Sequence, residues 1–245
     1  MKTLTVKHTT LGLHNAKICV PIVETTETEI LKKVEAIVAS KADMMEWRVD
    51  FYEHVLEEAK LVPLLRKINE IRKDMPLIFT FRTKNQGGNL AIENRIYSLM
   101  YTTIILGKLV DIVDIEWTID PAISNPLIEK AKKTGIGIIM SYHDFDSTPA
   151  KQVIVKRLKH MYTLGADIAK IANMPRSQKD VDTIIEASQE MKETGQLFIA
   201  ISMGELGEFT RVNATQLGSC LTYAALGVTS APGQVEIEDL IQQMK

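Results

Sequence analysis

Lys170 stands in the run "LGADIAKIANMP" (164–175), where strand alternation puts Ile168 and Ala172 on its face. Withdrawing an ammonium from water disfavours its charged form, so a lysine in such a setting is suited to supply a neutral amine. An amine of that kind attacks a ketone or aldehyde and forms a Schiff base. The protonated imine then draws in electrons and acidifies the adjacent C–H. His143 follows the run "GIGIIMSY" (135–142) and is suited to move that proton and deliver one to a leaving group.

Period-two alternation sorts the neighbouring runs in the same way. Glu46 and Arg48 share a face of "MEWRVD", opposite Trp47 and Val49. Thr80 and Arg82 share a face of "IFTFR", and Asp114 and Glu116 share a face of "DIVDIEW". Bulky apolar residues occupy the other faces, which suit packing beneath helices. Taken singly, these residues have structural readings: Glu46 with Arg48 as a buried ion pair, Asp114 and Glu116 as partners for cations. Charged or titratable residues at five strand ends together argue for a site, and arginine forks suit a carboxylate on a small substrate.

Other chemistries lack their residues. The five histidines (8, 14, 54, 143, 160) show no HxH or HExxH spacing, so no metal site is expected. No GxSxG elbow occurs. The "GELGE" loop places Glu205 and Glu208 where a phosphate would be repelled. From the residues alone the expectation is a Schiff-base lyase or aldolase acting on a small anionic carbonyl compound.

The elements that must hold these groups alternate eight times. Strands are expected at 17–23, 43–49, 77–83, 110–117, 135–142, 166–172, 197–203 and 227–230, with helical patterns between them. One such pattern is "NATQLGSCLTYAAL" (213–226), read as the helix before the last strand. The alternation implies parallel strands joined by right-handed crossovers, and eight units favour a (β/α)8 TIM barrel over an open sheet. No strand ends in a GxGxxG turn, which argues against a dinucleotide fold. Residues 1–16 alternate like a β-hairpin outside that count and are expected to cap the bottom of the barrel. The whole chain, 1–245, is expected to be one domain. A net charge of −2 offers no case for nucleic acid or an anionic membrane, and no apolar stretch reaches transmembrane length. Two cysteines, Cys19 and Cys220, are too few for a disulfide framework and fit a reducing, cytoplasmic setting.

The motifs "EWRVD", "FTFRTKNQGG", "SYHDF", "GADIAKIANMP", "ISMGELGEFTR" and "SAPGQ", in this order, resemble those of type I 3-dehydroquinase. The resemblance runs from about residue 17 to the C-terminus. It implies a homodimeric barrel, without cofactor or metal, that converts 3-dehydroquinate to 3-dehydroshikimate by syn elimination. Lys170 would form the imine, and His143 would take the C2 proton and protonate the departing C1 hydroxyl. Glu46, Arg48 and Arg82 would hold ring hydroxyls and order the site. Arg211 would pair with the substrate carboxylate, and Met203 would line the pocket. Ser230 and Gln234 would lie on a loop, "TSAPGQVEIED", that closes over the ligand.

Two positions depart from the family pattern. Pro21 stands where serine is common, though proline also occurs. Gln86 stands in "RTKNQGG" where the family carries a glutamate that pairs with the catalytic histidine. An amide can hydrogen-bond to the imidazole but supplies no charge to favour imidazolium, so His143 is expected to be a weaker base. An enzyme impaired at proton transfer, a non-catalytic binding protein that keeps the pocket, and a class I aldolase are the alternatives this leaves.

Overall fold

Runs that are apolar on their outer face and mixed on their inner face become strands packed between a helical shell and a filled interior. In the computed structural model, which describes residues 2–244, an antiparallel hairpin of β1 (Leu4–Val6) and β2 (Thr9–Leu11) comes first. The barrel strands are β3 (Lys17–Ile22), β4 (Met44–Arg48), β5 (Leu77–Thr80) and β6 (Ile112–Glu116), then β7 (Gly137–Asp144), β8 (Ile168–Asn173), β9 (Phe198–Ser202) and β10 (Leu221–Ala225). They pair in parallel in the order β10-β3-β4-β5-β6-β7-β8-β9, and β11 (Val235–Glu236) extends the β10 edge. The curl closes where the Cys220 N–H donates to the Phe198 carbonyl at 2.9 Å beside a Phe198–Ser219 bridge. The architecture is the expected (β/α)8 barrel.

Helices α1 (Glu27–Ala39), α2 (Glu58–Arg72), α3 (Asn94–Leu106), α4 (Pro121–Thr134), α5 (Lys151–Thr163) and α6 (Gln178–Glu193) fill the first six crossovers. Their starts are written locally. Thr26 and Glu29 form a capping box at α1, Ser177 and Asp180 another at α6, and Asp120 caps α4 ahead of Pro121. Shorter helices α7 (Glu208–Val212), α8 (Ala214–Leu217) and α9 (Ile237–Gln243) complete the shell. No described helix is long and apolar enough to cross a membrane.

The eighth unit departs from the sequence expectation. The run "NATQLGSCLTYAAL" is not one helix: α8 ends at Gly218 in the left-handed region (φ 85°), and β10 follows at once. A strand buried on both faces reads as a continuous apolar run, which periodicity alone does not separate from a buried helix. Residues 227–230, expected as the last strand, belong to the connection after β10, so Ser230 ends no barrel strand. At β7 the strand is longer than expected and carries His143 within it.

The parity of the side chains follows the sequence reading. Trp47, Phe79, Phe81, Val113 and Ile115 pack outward with the helices. Beneath the charged layer, Cys19, Met44, Ile78, Ile112, Ile139, Ile168 and Leu221 fill the lower barrel, and Val6 and Leu11 of the hairpin close it from below. Both cysteines are free and buried, and burial pushes the Cys220 thiol up to about 12, so neither is poised as a thiolate.

Candidate active site

The inward residues above the apolar layer form one charged network centred on Arg82, just past β5. Its guanidinium donates to Asp114 Oδ2 (3.0 Å), Glu116 Oε1 (3.1 Å) and Ser141 Oγ (2.8 Å), tying β5 to β6 and β7. Ser141 in turn donates to Asp114 Oδ1 at 2.5 Å. Burial alone would lower the arginine pKa, but Asp114, Glu116 and Glu46 together outweigh it and push it up. Burial likewise opposes the charge on Asp114, and Arg82 and then Lys170 reverse this and hold the carboxyl below the usual range.

Arg48 is committed elsewhere. Its Nε and Nη2 bind the two oxygens of Asp50 at 2.8 and 2.9 Å. Asp50 also accepts from the backbone N–H groups of Arg82 (3.2 Å) and Asn89 (3.0 Å), so this pair shapes the 82–89 loop.

Lys170 lies near the middle of β8, opposite Ser141 in register, and is 4% exposed. Its surroundings differ from the apolar pocket the sequence suggested. Glu46 Oε1 lies 3.6 Å from Nζ and Asp114 Oδ2 3.7 Å. Alternation hides this, because those carboxylates arrive from β4 and β6. The one hydrogen bond of the amine among the described residues goes to Tyr223 Oη at 2.9 Å, with Nζ also 4.3 Å from the centre of that ring.

His143 is two residues beyond Ser141 on β7, half-buried at the mouth. Burial, then the charges of Arg82, Lys170 and Arg48, hold its pKa well below the ordinary value, so the ring is neutral near pH 7. The expected bond from Gln86 to the imidazole does not form. Gln86 Oε1 accepts instead from the His143 backbone N–H (2.8 Å), while Nε2 donates to Glu116 (3.1 Å) and Thr118 (2.6 Å). The amide has one acceptor and two donor hydrogens, and Glu116 and Thr118 take the donors. Among the described residues the buried His143 Nδ1 has no hydrogen-bond partner.

Arg211, on α7, is 2% exposed. Among the described residues it makes no ion pair; Nη2 donates to the Pro232 carbonyl (3.3 Å) and Nε has no partner. Burial lowers its pKa to about 10, which still leaves it charged at neutral pH. An uncompensated buried guanidinium is costly, and an anion completes it.

The segment after β10 lies over this cation. Gln234 binds Ser230 twice, accepting from its N–H (2.8 Å) and donating to its Oγ (2.9 Å). Pro232 also accepts from the Gly204 N–H at 3.2 Å. A Cβ on Gly233 (φ 74°) would sit 2.2 Å from the Gly204 carbonyl oxygen, so only glycine permits this approach. Together these groups line one cleft at the mouth of the barrel.

All ten candidate residues from the sequence line this cleft: Lys170, His143, Gln86, Glu46, Arg48, Arg82, Met203, Arg211, Ser230 and Gln234. Sequence reasoning missed Tyr223, hidden by the misread helix, and Asp50, which ends "EWRVD" one residue past the parity argument. Gly218, a helix-stopping residue inside that run, carried the signal that the helix ends before Tyr223. Among the described residues no cluster of three or more His, Cys, Asp or Glu is arranged to hold a metal ion.

The family model described as type I 3-dehydroquinase matches residues 18–245. A 3-dehydroquinate dehydratase of Klebsiella pneumoniae is 40% identical over 243 residues, covering 98% of this chain and 97% of its own. One from Listeria welshimeri is 39% identical, covering 98% and 96%. The type I enzyme of Clostridium difficile, solved with covalent modified comenic acid, superposes with a TM-score of 0.96 at 35% identity, covering 99% of this chain and 96% of its own.

The network makes a stability prediction. Arg82→Met leaves Asp114 and Glu116 buried without their cation, and is expected to lower unfolding free energy by about 3–5 kcal/mol at neutral pH. The paired Asp114 has a depressed folded pKa, so its stabilisation is present above its unfolded value of 3.8 and fades as pH falls through the folded one. The gap between parent and variant in urea unfolding should therefore narrow below that pH. A gap that is absent, or constant with pH, would refute the network.

Proposed function

The chain belongs to the type I 3-dehydroquinase family, and from that premise we propose that it dehydrates 3-dehydroquinate to 3-dehydroshikimate through a Schiff base on Lys170. The observation that carries the reading is that a buried amine and the unpaired Arg211 open onto one cleft. They match a ketone and a carboxylate on one small ring.

In the proposed sequence the free amine of Lys170 adds to the C3 ketone, whose oxygen takes both amine protons and leaves as water. A proton from solvent, returned at the final hydrolysis, makes the protonated imine. The neutral His143 ring removes a proton from C2, and the C–H electrons flow into the iminium nitrogen as an enamine. The enamine expels the C1 hydroxyl, which departs as water with the proton that His143 took. Water then hydrolyses the conjugated imine and frees Lys170. One ring handles both the C2 proton and the C1 hydroxyl, which favours their leaving from the same face. The net change is loss of one water.

The low pKa of His143 supports its part as base, since a neutral ring is ready near pH 7. The covalent modified ligand of the C. difficile relative is in keeping with a covalent step. Arg82 acts by ordering Asp114 and Glu116, and Arg48 by fixing the 82–89 loop through Asp50, with Glu46 the member of that set left to meet a ring hydroxyl. Met203 packs against the ligand ring, and Ser230 and Gln234 close over it. The reading includes a cytoplasmic homodimer that uses no cofactor or metal.

Two measurements test the reading. Turnover of 3-dehydroquinate, followed by the absorbance of the enone product, separates a dehydratase from an aldolase or a binding protein. Borohydride added with substrate is expected to leave a mass shift on the peptide bearing Lys170; an adduct on another lysine, or none, would remove the mechanism.

Gln86→Glu brings a carboxylate beside His143 and raises the ring's pKa. Because the base must be neutral, the acidic limb of the kcat profile is expected to move to higher pH. The maximal kcat should rise on the order of tenfold, a fraction of a full acid–base contribution, with little change in KM. An unmoved profile would confine Gln86 to holding the His143 backbone.

A further inference from the structure

Tyr223 has no part in the sequence just given, yet it holds the reacting nitrogen. It projects inward from β10, is 3% exposed, and its Oη accepts the hydrogen bond from Lys170 at 2.9 Å. Its own O–H finds no acceptor among the described residues, so that proton is available to whatever occupies the cleft it lines.

Building on the Schiff-base reading, we propose that Tyr223 is a catalytic residue of imine formation, its hydroxyl relaying a proton from the attacking nitrogen of Lys170 to the oxygen of the substrate ketone. When Nζ bonds to the carbonyl carbon, the C=O π pair moves to oxygen and leaves N⁺–H beside O⁻ on one carbon. Direct transfer between them passes through a strained four-membered ring. Through Oη the ring has six members: the N–H bond breaks as Oη gains that proton, and the original Oη–H breaks as the substrate oxygen gains its proton. The phenol is regenerated and a neutral carbinolamine results.

The other groups near Nζ are unsuited to this step. Glu46 and Asp114 stand at 3.6 and 3.7 Å and already accept from Thr80 and Arg82. Burial, then the charges of Glu46, Cys19 and Asp114, push the Tyr223 pKa well up. A phenolate is therefore disfavoured, which a relay that never accumulates one tolerates.

Tyr223→Phe keeps the ring and its packing and removes only Oη. Rapid mixing with 3-dehydroquinate, quenched by borohydride at successive times, reads the rate at which the Lys170 adduct appears. That rate is expected to fall by about 10²-fold, the scale of one proton-transfer or oxyanion-stabilising group. With imine formation now limiting, the isotope effect of C2-deuterated substrate on kcat should shrink towards one. Affinity for quinate, which has a hydroxyl in place of the ketone, should stay unchanged. Adduct formation at the parent rate would overturn the relay, and so would a slower rate matched by an equal loss of quinate affinity, which assigns a packing role. If the parent protein itself yields no adduct, the Schiff-base reading fails first and the relay with it.

Discussion

The bidentate grip of Arg82 on Asp114 and Glu116 is the constraint around which the barrel mouth is assembled. Carboxylates from β6 at the centre of a barrel would be untenable without a cation of matching geometry, and a guanidinium fork can reach two of them at once. Once satisfied, Asp114 is free to stand beside Lys170, and Glu116 anchors the backbone of Thr83 (2.8 Å) and the amide of Gln86. Gln86 then fixes the backbone of His143. One ion cluster thus ties together Lys170, His143 and the loop that bears Gln86.

The charges balance pairwise except at one place. Arg48 has Asp50, Arg82 has Asp114 and Glu116, and Lys170 has Glu46 and Asp114 nearby. Arg211 alone among these buried cations lacks an anion, and its guanidinium donates to the Pro232 carbonyl of the covering segment. In the proposed reading that imbalance orients a ligand, with its carboxylate at Arg211 and its carbonyl at Lys170. The covering segment binds both the Gly204 turn and Arg211 through the one Pro232 carbonyl.

Much of this was legible because strand parity is a local property. Glu46 and Arg48, Asp114 and Glu116, and Lys170 sort correctly between barrel interior and shell, and seven of the eight barrel strands lie where the runs predict. What failed depended on contacts between distant segments. Whether Lys170 meets apolar or charged neighbours is set by β4 and β6, not by its own strand. Gln86 was matched to the imidazole by analogy, but Glu116 and Thr118 claim its donors. The last strand was lost because "LTYAA" is apolar on both faces, and Tyr223 was lost with it.

The account's central claim is that one cleft holds a small ring by a covalent bond at Lys170 and an ion pair at Arg211. A crystal structure of the protein reduced by borohydride in the presence of 3-dehydroshikimate tests both ends in one experiment. The account predicts continuous density from Nζ of Lys170 to C3 of the ligand, with the ligand carboxylate hydrogen-bonded to Arg211. A ligand held without that bond, or with its carboxylate turned away from Arg211, would contradict it.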